Sequence, residues 1–123
     1  MNWTRLAASL LGLAVMLGAF GAHGLKGHLD AYAMSVYEKA VLYHFVHAVG
    51  MLIASLLPQI GLISSKDGTQ ICALLTAGIV LFSGSLYLLA VSGVTMLGAI
   101  TPLGGLAFIA AWFLLAWRLP SGW

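Results

Sequence analysis

Charged side chains are scarce in this sequence. Among 123 residues there are five Lys and Arg and three Asp and Glu, 7% in all, where soluble domains carry about 25%. The five cations are scattered along the chain, so there is no basic stripe of the kind that binds nucleic acid. The composition excludes a nucleic-acid-binding protein and favours a protein that lies in lipid.

Cysteine is almost absent as well. Cys72 is the single cysteine, so neither an intrachain disulfide nor a CxxC redox centre can form. It lies in an apolar run, where a thiol behaves as a small hydrophobic group. Asp and Glu are absent from the apolar runs, since Glu38 stands before the run of the second span, which begins at about Ala40. The runs therefore contain no embedded acid to couple proton movement to transport.

Apolar residues are what the chain has in abundance. They make up 62% of the sequence, and the mean hydropathy is +1.06. Because one hydrocarbon crossing needs about 20 apolar residues, four crossings would use most of the chain. We predict an all-α protein, a four-helix transmembrane bundle with short loops, in a single integral-membrane domain of residues 1–123. The expected spans are 3–22, 36–57, 69–91 and 102–118.

Local signals mark the ends of these spans. The letters SVYE at 35–38 fit a capping box, which places the start of the second helix there or as early as Asp30. Pro58 should end that helix, and Gly93 should end the third in a left-handed conformation. Thr101 is expected to cap the fourth helix, with the following proline in its first turn. Arg118 and three tryptophans mark the last exit from the membrane, namely Trp112, Trp117 and Trp123.

The first apolar run has two interpretations. It can be a membrane span or a signal peptide whose charged region is Arg5. We favour an uncleaved span, because the remainder would still carry three more apolar runs.

Lysine and arginine in short loops predict the orientation. With four spans, Arg5, Lys66 and Arg118 share one side of the membrane, and Lys26 and Lys39 lie on the other. The side with more cations is expected to be the cytoplasm, which would hold both termini.

Four motifs carry a resemblance to a known family. They are GAFGAHGL at the end of the first span, YEKAVLYHFVHAVGM in the second, LFSGSLYLLAVSG in the third and TPLGGLAFIAAW in the fourth. Together they resemble the YgdD-like family of small membrane proteins, which is widespread in bacteria and is known as a domain of unknown function. The resemblance implies four spans in a bacterial cytoplasmic (inner) membrane, and it implies no catalytic residue, substrate or cofactor.

Two histidines on one helix face are the first candidates for chemistry. His44 and His47 are three residues apart and therefore neighbours on the helix surface. A stable metal site needs three or four ligands, and only His23 or His28 is expected near enough to add one. We expect histidines hydrogen-bonded between helices, with no metal and no cofactor.

Polar residues are expected to gather in the outer half of the bundle. With cytoplasmic termini, the first span ends outside, the second begins there, and the polar parts of the third and fourth lie at the same depth. Such a cluster is either an internal hydrogen-bond network or a place where a polar ligand enters between helices. Its histidines should be mostly neutral at pH 7. The predicted cluster consists of His23, His44, His47, Ser83, Tyr87 and Thr101.

Small residues are expected where helices pack closely, because they let backbones approach one another. The predicted contacts include the pairs Ala8/Gly12, Gly18/Ala22 and Ala107/Ala111. The glycines expected at helix contacts are Gly12, Gly18, Gly21, Gly84, Gly104 and Gly105.

Three functions compete. The first is a structural or interaction module that associates with itself or with another membrane protein, in contact with membrane lipids. The alternative is a small transporter or channel subunit with its polar site in the outer half of the bundle. A membrane enzyme or cofactor-binding protein is the least favoured, because the spacing shows no nucleophile with a base and an orienting group.

Overall fold

The computed structural model describes residues 1–122, and four of its helices are long and apolar enough to cross a membrane. A short 3-10 turn, Thr95–Ala99, precedes the last helix. The structure shows no strand between residues 1 and 122, so the predictions of an all-α protein and of a four-helix transmembrane bundle are confirmed. The helices are α1 (Trp3–His23), α2 (Ala31–Leu56), α3 (Ser65–Ser92) and α4 (Thr101–Arg118).

Helix α2 lies at the centre of the bundle. Helix α1 packs against α2, and α3 packs against both α2 and α4. The core formed in this way includes Met51 of α2, Ile71 and Leu75 of α3, and Phe108 of α4. In a bilayer this arrangement leaves α1 and α4 as the flanking helices with the most surface toward lipid.

Side-chain caps begin three of the four helices. Asn2, Asp30 and Ser64 precede α1, α2 and α3, and each accepts a hydrogen bond from the backbone N–H three residues later, at 3.0, 2.7 and 3.0 Å. The caps satisfy backbone donors that have no partner within a helix.

The capping box at 35–38 does not form. Helix α2 starts at Ala31 with Asp30 as its cap, which was the earlier of the two expected starts. Ser35 is already inside the helix, and its hydroxyl donates to the carbonyl of Tyr32 at 2.7 Å. Because Asp30 caps α2, Ser35 lies inside the helix, and its hydroxyl bonds to a backbone carbonyl of the same helix.

The predicted cap at Thr101 is also corrected. Helix α4 is preceded by Ile100 and has no side-chain cap. The hydroxyl of Thr101 instead lies 2.7 Å from that of Ser85 on α3. The Thr101 hydroxyl therefore bonds to a side chain of the neighbouring helix and not to the backbone N–H groups of its own helix.

The predicted helix ends agree with the structure. Helix α2 stops at Leu56, two residues before Pro58. Gly93 follows α3 with a φ of 71°, the left-handed conformation that glycine adopts without steric cost. The predicted interfacial residue Trp123 lies outside the described residues.

Helix α3 contains a π-helical segment, which is wider than an α-helix. Residues Ile79–Gly84 form a π-helix between two α-helical parts, Ser65–Gly78 and Ser85–Ser92. A π-helical turn holds more residues than an α-helical turn, so it rotates the faces of the residues that follow it. This rotation lets Ser85 face α4 and Tyr87 face α2.

Glycine permits the close approach of α3 and α4. A Cβ on Gly104 would overlap the backbone of Phe82, so the two helices meet there without a side chain between them. At Gly21 a Cβ would overlap the ring of Tyr37, and at Gly18 it would touch Val41 at 3.4 Å.

Two of the expected glycine contacts are not made in the part of the chain that the structure describes. A Cβ on Gly12 would meet nothing within 4 Å, and one on Gly84 would meet only the carbonyl of Ile79, at 3.9 Å. Gly105 is in ordinary contact with Phe82. Ala8, the expected partner of Gly12 on α1, is exposed like Gly12 itself.

We predict that Gly104→Ala destabilises the bundle by about 1–3 kcal/mol, because the added methyl group must push α3 and α4 apart. Thermal unfolding in mild detergent measures the effect. Gly84→Ala is the matched control, since its Cβ would make only ordinary contact. Equal melting temperatures for the two variants would contradict the close approach at Gly104.

Candidate functional site

A buried polar contact joins α2 to α3. The Nδ1 atom of His44 lies 2.9 Å from the hydroxyl of Tyr87. The His44 side chain is only 1% exposed, so this hydrogen bond forms without competition from water. An interhelical hydrogen bond of this kind contributes about 1 kcal/mol in a membrane protein.

A second tyrosine extends the contact to α1. The rings of Tyr37 and Tyr87 meet edge to face with their centroids 5.3 Å apart. The Tyr37 hydroxyl donates a hydrogen bond to the backbone carbonyl of Leu17 on α1. Three helices are thereby connected through the side chains of Tyr37, Tyr87 and His44.

One nitrogen of His44 has no hydrogen-bond partner. Its Nε2 atom is buried and has no partner within residues 1–122, and the backbone of Leu10 lies near the ring. The Tyr87 hydroxyl is able to donate to Nδ1 or to accept its proton, so the bond forms with either neutral tautomer. His44 then needs no charge to fit this site.

Ser83 is the other buried polar group without a partner. Its side chain is 0% exposed and its hydroxyl makes no hydrogen bond within residues 1–122. Ser83 and Tyr87 are four residues apart on α3 and so point to the same side of the helix. His44 and Ser83 are therefore the two places in the described bundle where a buried polar atom lacks a partner.

His47 lies in a different environment, one turn further along α2. Its Nδ1 atom is 2.8 Å from the carbonyl of Tyr43, so Nδ1 carries the donated proton. The ring stacks on Phe108 of α4 at a centroid distance of 3.5 Å and an interplanar angle of 14°. Trp112 packs beside it, with a centroid distance of 5.8 Å. His47 therefore acts as an aromatic packing residue between α2 and α4.

Thr101 pairs with Ser85, away from the histidines. The Ser85 hydroxyl donates to the carbonyl of Phe82 at 2.9 Å. Its proton is thus engaged, and the hydrogen bond at 2.7 Å between the two hydroxyls is donated by Thr101. This pair connects α3 to α4.

The six residues of the predicted cluster are only partly brought together. The structure joins His44 to Tyr87, places Ser83 one turn away, and gives His47 and Thr101 separate partners. His23 is exposed at the end of α1 and takes no part in these hydrogen bonds. The polar groups form two interhelical pairs and an aromatic stack, not one connected cluster.

Sequence reasoning missed several groups at this site. Tyr37 is seven residues before His44 and on the same face of α2, a spacing that points to it. The carbonyl groups of Leu10 and Leu17 and the ring of Phe108 had no comparable signal. Residues 1–122 contain no group of three or more His, Cys, Asp or Glu side chains able to hold one metal ion.

Comparisons with known proteins place the chain in a family. The family described as "Protein of unknown function (DUF423)" matches residues 17–105. The chain belongs to the DUF423 family. The matched residues include α2, α3 and therefore the His44–Tyr87 pair.

Two relatives in the curated proteins show the extent of the similarity. The chain is 48% identical over 103 residues to the UPF0382 membrane protein YwdK of Bacillus subtilis, covering 84% of this chain and 83% of the relative. It is 49% identical over 106 residues to a UPF0382 membrane protein of Staphylococcus haemolyticus, covering 84% and 82%. No solved structure matches the chain. Together with its four apolar helices, these relatives make this DUF423 chain a membrane protein of unknown molecular function.

We predict that Tyr87→Phe destabilises the bundle by about 1 kcal/mol, because it leaves both ring nitrogens of the buried His44 without a partner. Unfolding by a denaturing detergent, followed by circular dichroism, measures the change. Tyr43→Phe is the control: His47 bonds to the backbone of Tyr43 and keeps its partner in that variant. A loss of stability in Tyr43→Phe as large as that in Tyr87→Phe would argue against a special role for the His44–Tyr87 bond.

Proposed function

We propose that this protein is a structural or interaction module of the membrane that associates with a second copy of itself through α1. The observation that carries the proposal is the position of Gly12. It lies in the middle of α1, is exposed, and has nothing within 4 Å of where a Cβ would be. Glycine costs a helix about 0.5–1 kcal/mol relative to alanine, and no contact among residues 1–122 makes use of it here.

The residues around Gly12 fit a helix contact in lipid. Ala8 precedes Gly12 by four residues and is exposed on the same face, the spacing at which two membrane helices approach closely. Helix α1 packs mainly against α2, which leaves this face available to another chain. A second copy of α1 would supply the packing that the single chain lacks.

The arrangement of the interior polar groups also supports a structural role. His44 and Ser83 are almost fully buried, and the hydrogen bonds of Tyr87, Ser85 and Thr101 connect neighbouring helices. A transporter would have to expose such groups to water in turn. For that reason we rank the transporter alternative second and a membrane enzyme third.

We further propose that the protein lies in the bacterial cytoplasmic membrane with both termini in the cytoplasm. The salt bridge at 3.2 Å between Arg118 and Asp67 brings the end of α4 to the first turn of α3. The start of α1 lies at the same end, because Trp3 and Pro58 line one pocket. That end carries Arg5, Lys66 and Arg118, the larger share of the cations.

The YgdD-like relationship belongs to this proposal too. Both that family and DUF423 consist of proteins of unknown function, and the DUF423 match over residues 17–105 contains three of the four motifs that carry the resemblance and the start of the fourth.

We expect Gly12→Leu to weaken self-association by about tenfold or more, because the larger side chain prevents close approach of two α1 helices. Energy transfer between labelled copies in lipid vesicles measures the association. Ala110→Leu is the control, since Ala110 is exposed on α4. A wild-type chain that shows no association, or equal weakening by both variants, would refute the proposed α1 interface.

The orientation is tested by labelling a single cysteine. In a Cys72→Ala background, Lys66→Cys places a thiol at an exposed position in the first turn of α3. A reagent that cannot cross the membrane should label it in inverted vesicles and not in intact cells. Labelling in intact cells would reverse the proposed orientation.

A further inference from the structure

An open polar cleft lies at the end of the bundle where α1 begins. Its volume is about 480 Å³, within the range of about 300–1,000 Å³ that is usual for ligand sites. A smaller pocket of about 140 Å³ adjoins it and shares Trp3, Ser55 and Gln59. The side chains that line the cleft include Asn2, Trp3, Thr4, Arg5, Ser55 and Gln59.

The cleft offers a ligand several hydrogen-bond donors, beside the amide oxygen of Gln59. The donors are the guanidinium group of Arg5, the NH2 groups of Asn2 and Gln59, and the indole N–H of Trp3. No carboxylate is among the described lining residues. A cleft with a cation, several N–H donors and no acid is suited to an anion.

The wall between α1 and α2 is held by a hydrogen bond. The Ser55 hydroxyl donates to the carbonyl of Leu52 at 2.7 Å, so it accepts the proton of Thr4 in the bond of 3.0 Å between the two hydroxyls. Both hydroxyl protons are thus engaged, and Ser55 is only 7% exposed. Thr4 and Ser55 shape the cleft, while Arg5 and the amides remain available to a ligand.

Arg5 differs from the other arginine at this end of the bundle. Arg118 forms a salt bridge with Asp67, whereas within residues 1–122 Arg5 forms none. Lys66 is exposed in the first turn of α3 and does not line the cleft. No acidic side chain within residues 1–122 pairs with Arg5, and a guanidinium group binds the oxygens of a phosphate in a bidentate geometry.

We propose that this cleft binds a phosphate group, carried by the headgroup of an anionic phospholipid or by free phosphate. The cleft opens at the start of a membrane-spanning helix, beside Trp3, which is the depth of lipid headgroups. Basic pockets between transmembrane helices bind anionic headgroups in this way. The proposal is independent of self-association through α1 and of the orientation of the chain.

The test uses the full chain in a zwitterionic detergent with three probes: phosphatidylglycerol, phosphatidylcholine and inorganic phosphate. Native mass spectrometry measures lipid binding, and the melting temperature measures stabilisation. We expect phosphatidylglycerol to bind more tightly than phosphatidylcholine. Arg5→Gln should weaken the binding of phosphatidylglycerol about tenfold, which corresponds to about 1.4 kcal/mol.

Lys66→Gln is the matched control, because it removes one positive charge at the same end without changing the cleft. It should leave binding unchanged, whereas a merely diffuse attraction between charges would be weakened equally by both variants. Gln59→Leu keeps the charge of the cleft but removes an amide donor, and we expect it to weaken binding less than Arg5→Gln does. The melting temperature without lipid shows that each variant is folded.

The three probes distinguish the sources of the phosphate. If inorganic phosphate stabilises the protein in a manner that depends on Arg5 and displaces phosphatidylglycerol, free phosphate is a sufficient ligand. If only phosphatidylglycerol acts through Arg5, the ligand is a lipid headgroup. Binding of phosphatidylglycerol that is no tighter than that of phosphatidylcholine, or that is the same in wild type and Arg5→Gln, would overturn the proposal unless inorganic phosphate acts through Arg5.

Discussion

Water does not reach the hydrocarbon region of a bilayer, so a polar side chain there has to find its partner inside the protein. In this bundle the requirement is met mostly between helices. Inside the bundle the His44 ring of α2 bonds to Tyr87 of α3, and Thr101 of α4 donates to Ser85 of α3. At the end where α1 starts, in the wall of the open cleft, Thr4 of α1 bonds to Ser55 of α2. Each helix is thus joined to the next along the chain, and each bond restricts the rotation of the two helices that it connects.

Packing of aromatic rings against glycines also holds the helices together, in addition to the hydrogen bonds. Apolar contact gives little net attraction between helices in lipid, where the surroundings are as apolar as the side chains, and close fit becomes the main contribution. The bundle achieves this fit by placing an aromatic ring where a neighbouring helix has no Cβ. The pairs are Tyr37 on Gly21, Trp112 on Gly50 and Phe108 on Gly78. Because Phe108 also stacks on His47, the ring pairs and the polar groups belong to one packed interior.

The middle of the bundle and the end where α1 starts differ in their access to the surroundings. His44, at the middle of α2, and Ser83 are closed off from the surface. Toward the end where α1 starts, Arg5 and Gln59 line an open cleft. The polar groups with the clearest sequence signals, His44, Tyr87 and Thr101, form hydrogen bonds between helices. The groups accessible to a ligand, Arg5 and Gln59, come from two parts of the chain that meet beside Trp3. Neither part carries a distinctive motif.

Much of the candidate site followed from spacing along single helices. Placing His44 and His47 on one face of α2 required only the period of an α-helix, and both side chains are buried as that face implies. Their separation into different environments did not follow. His44 meets Tyr87 because the π-helical segment Ile79–Gly84 rotates the end of α3, and His47 meets Phe108 because α4 packs there.

The sequence by itself determined that the chain is helical, that it has four apolar helices, and where most of them end. These properties depend on composition and on neighbouring residues, as at Pro58 and Gly93. Only the tertiary structure decided that Thr101 bonds to Ser85 instead of capping its own helix, and that Gly104 meets another helix while Gly12 meets none. The reason is that a local signal specifies which bonds a residue is able to make. Which of them it does make depends on what the neighbouring helix brings within reach.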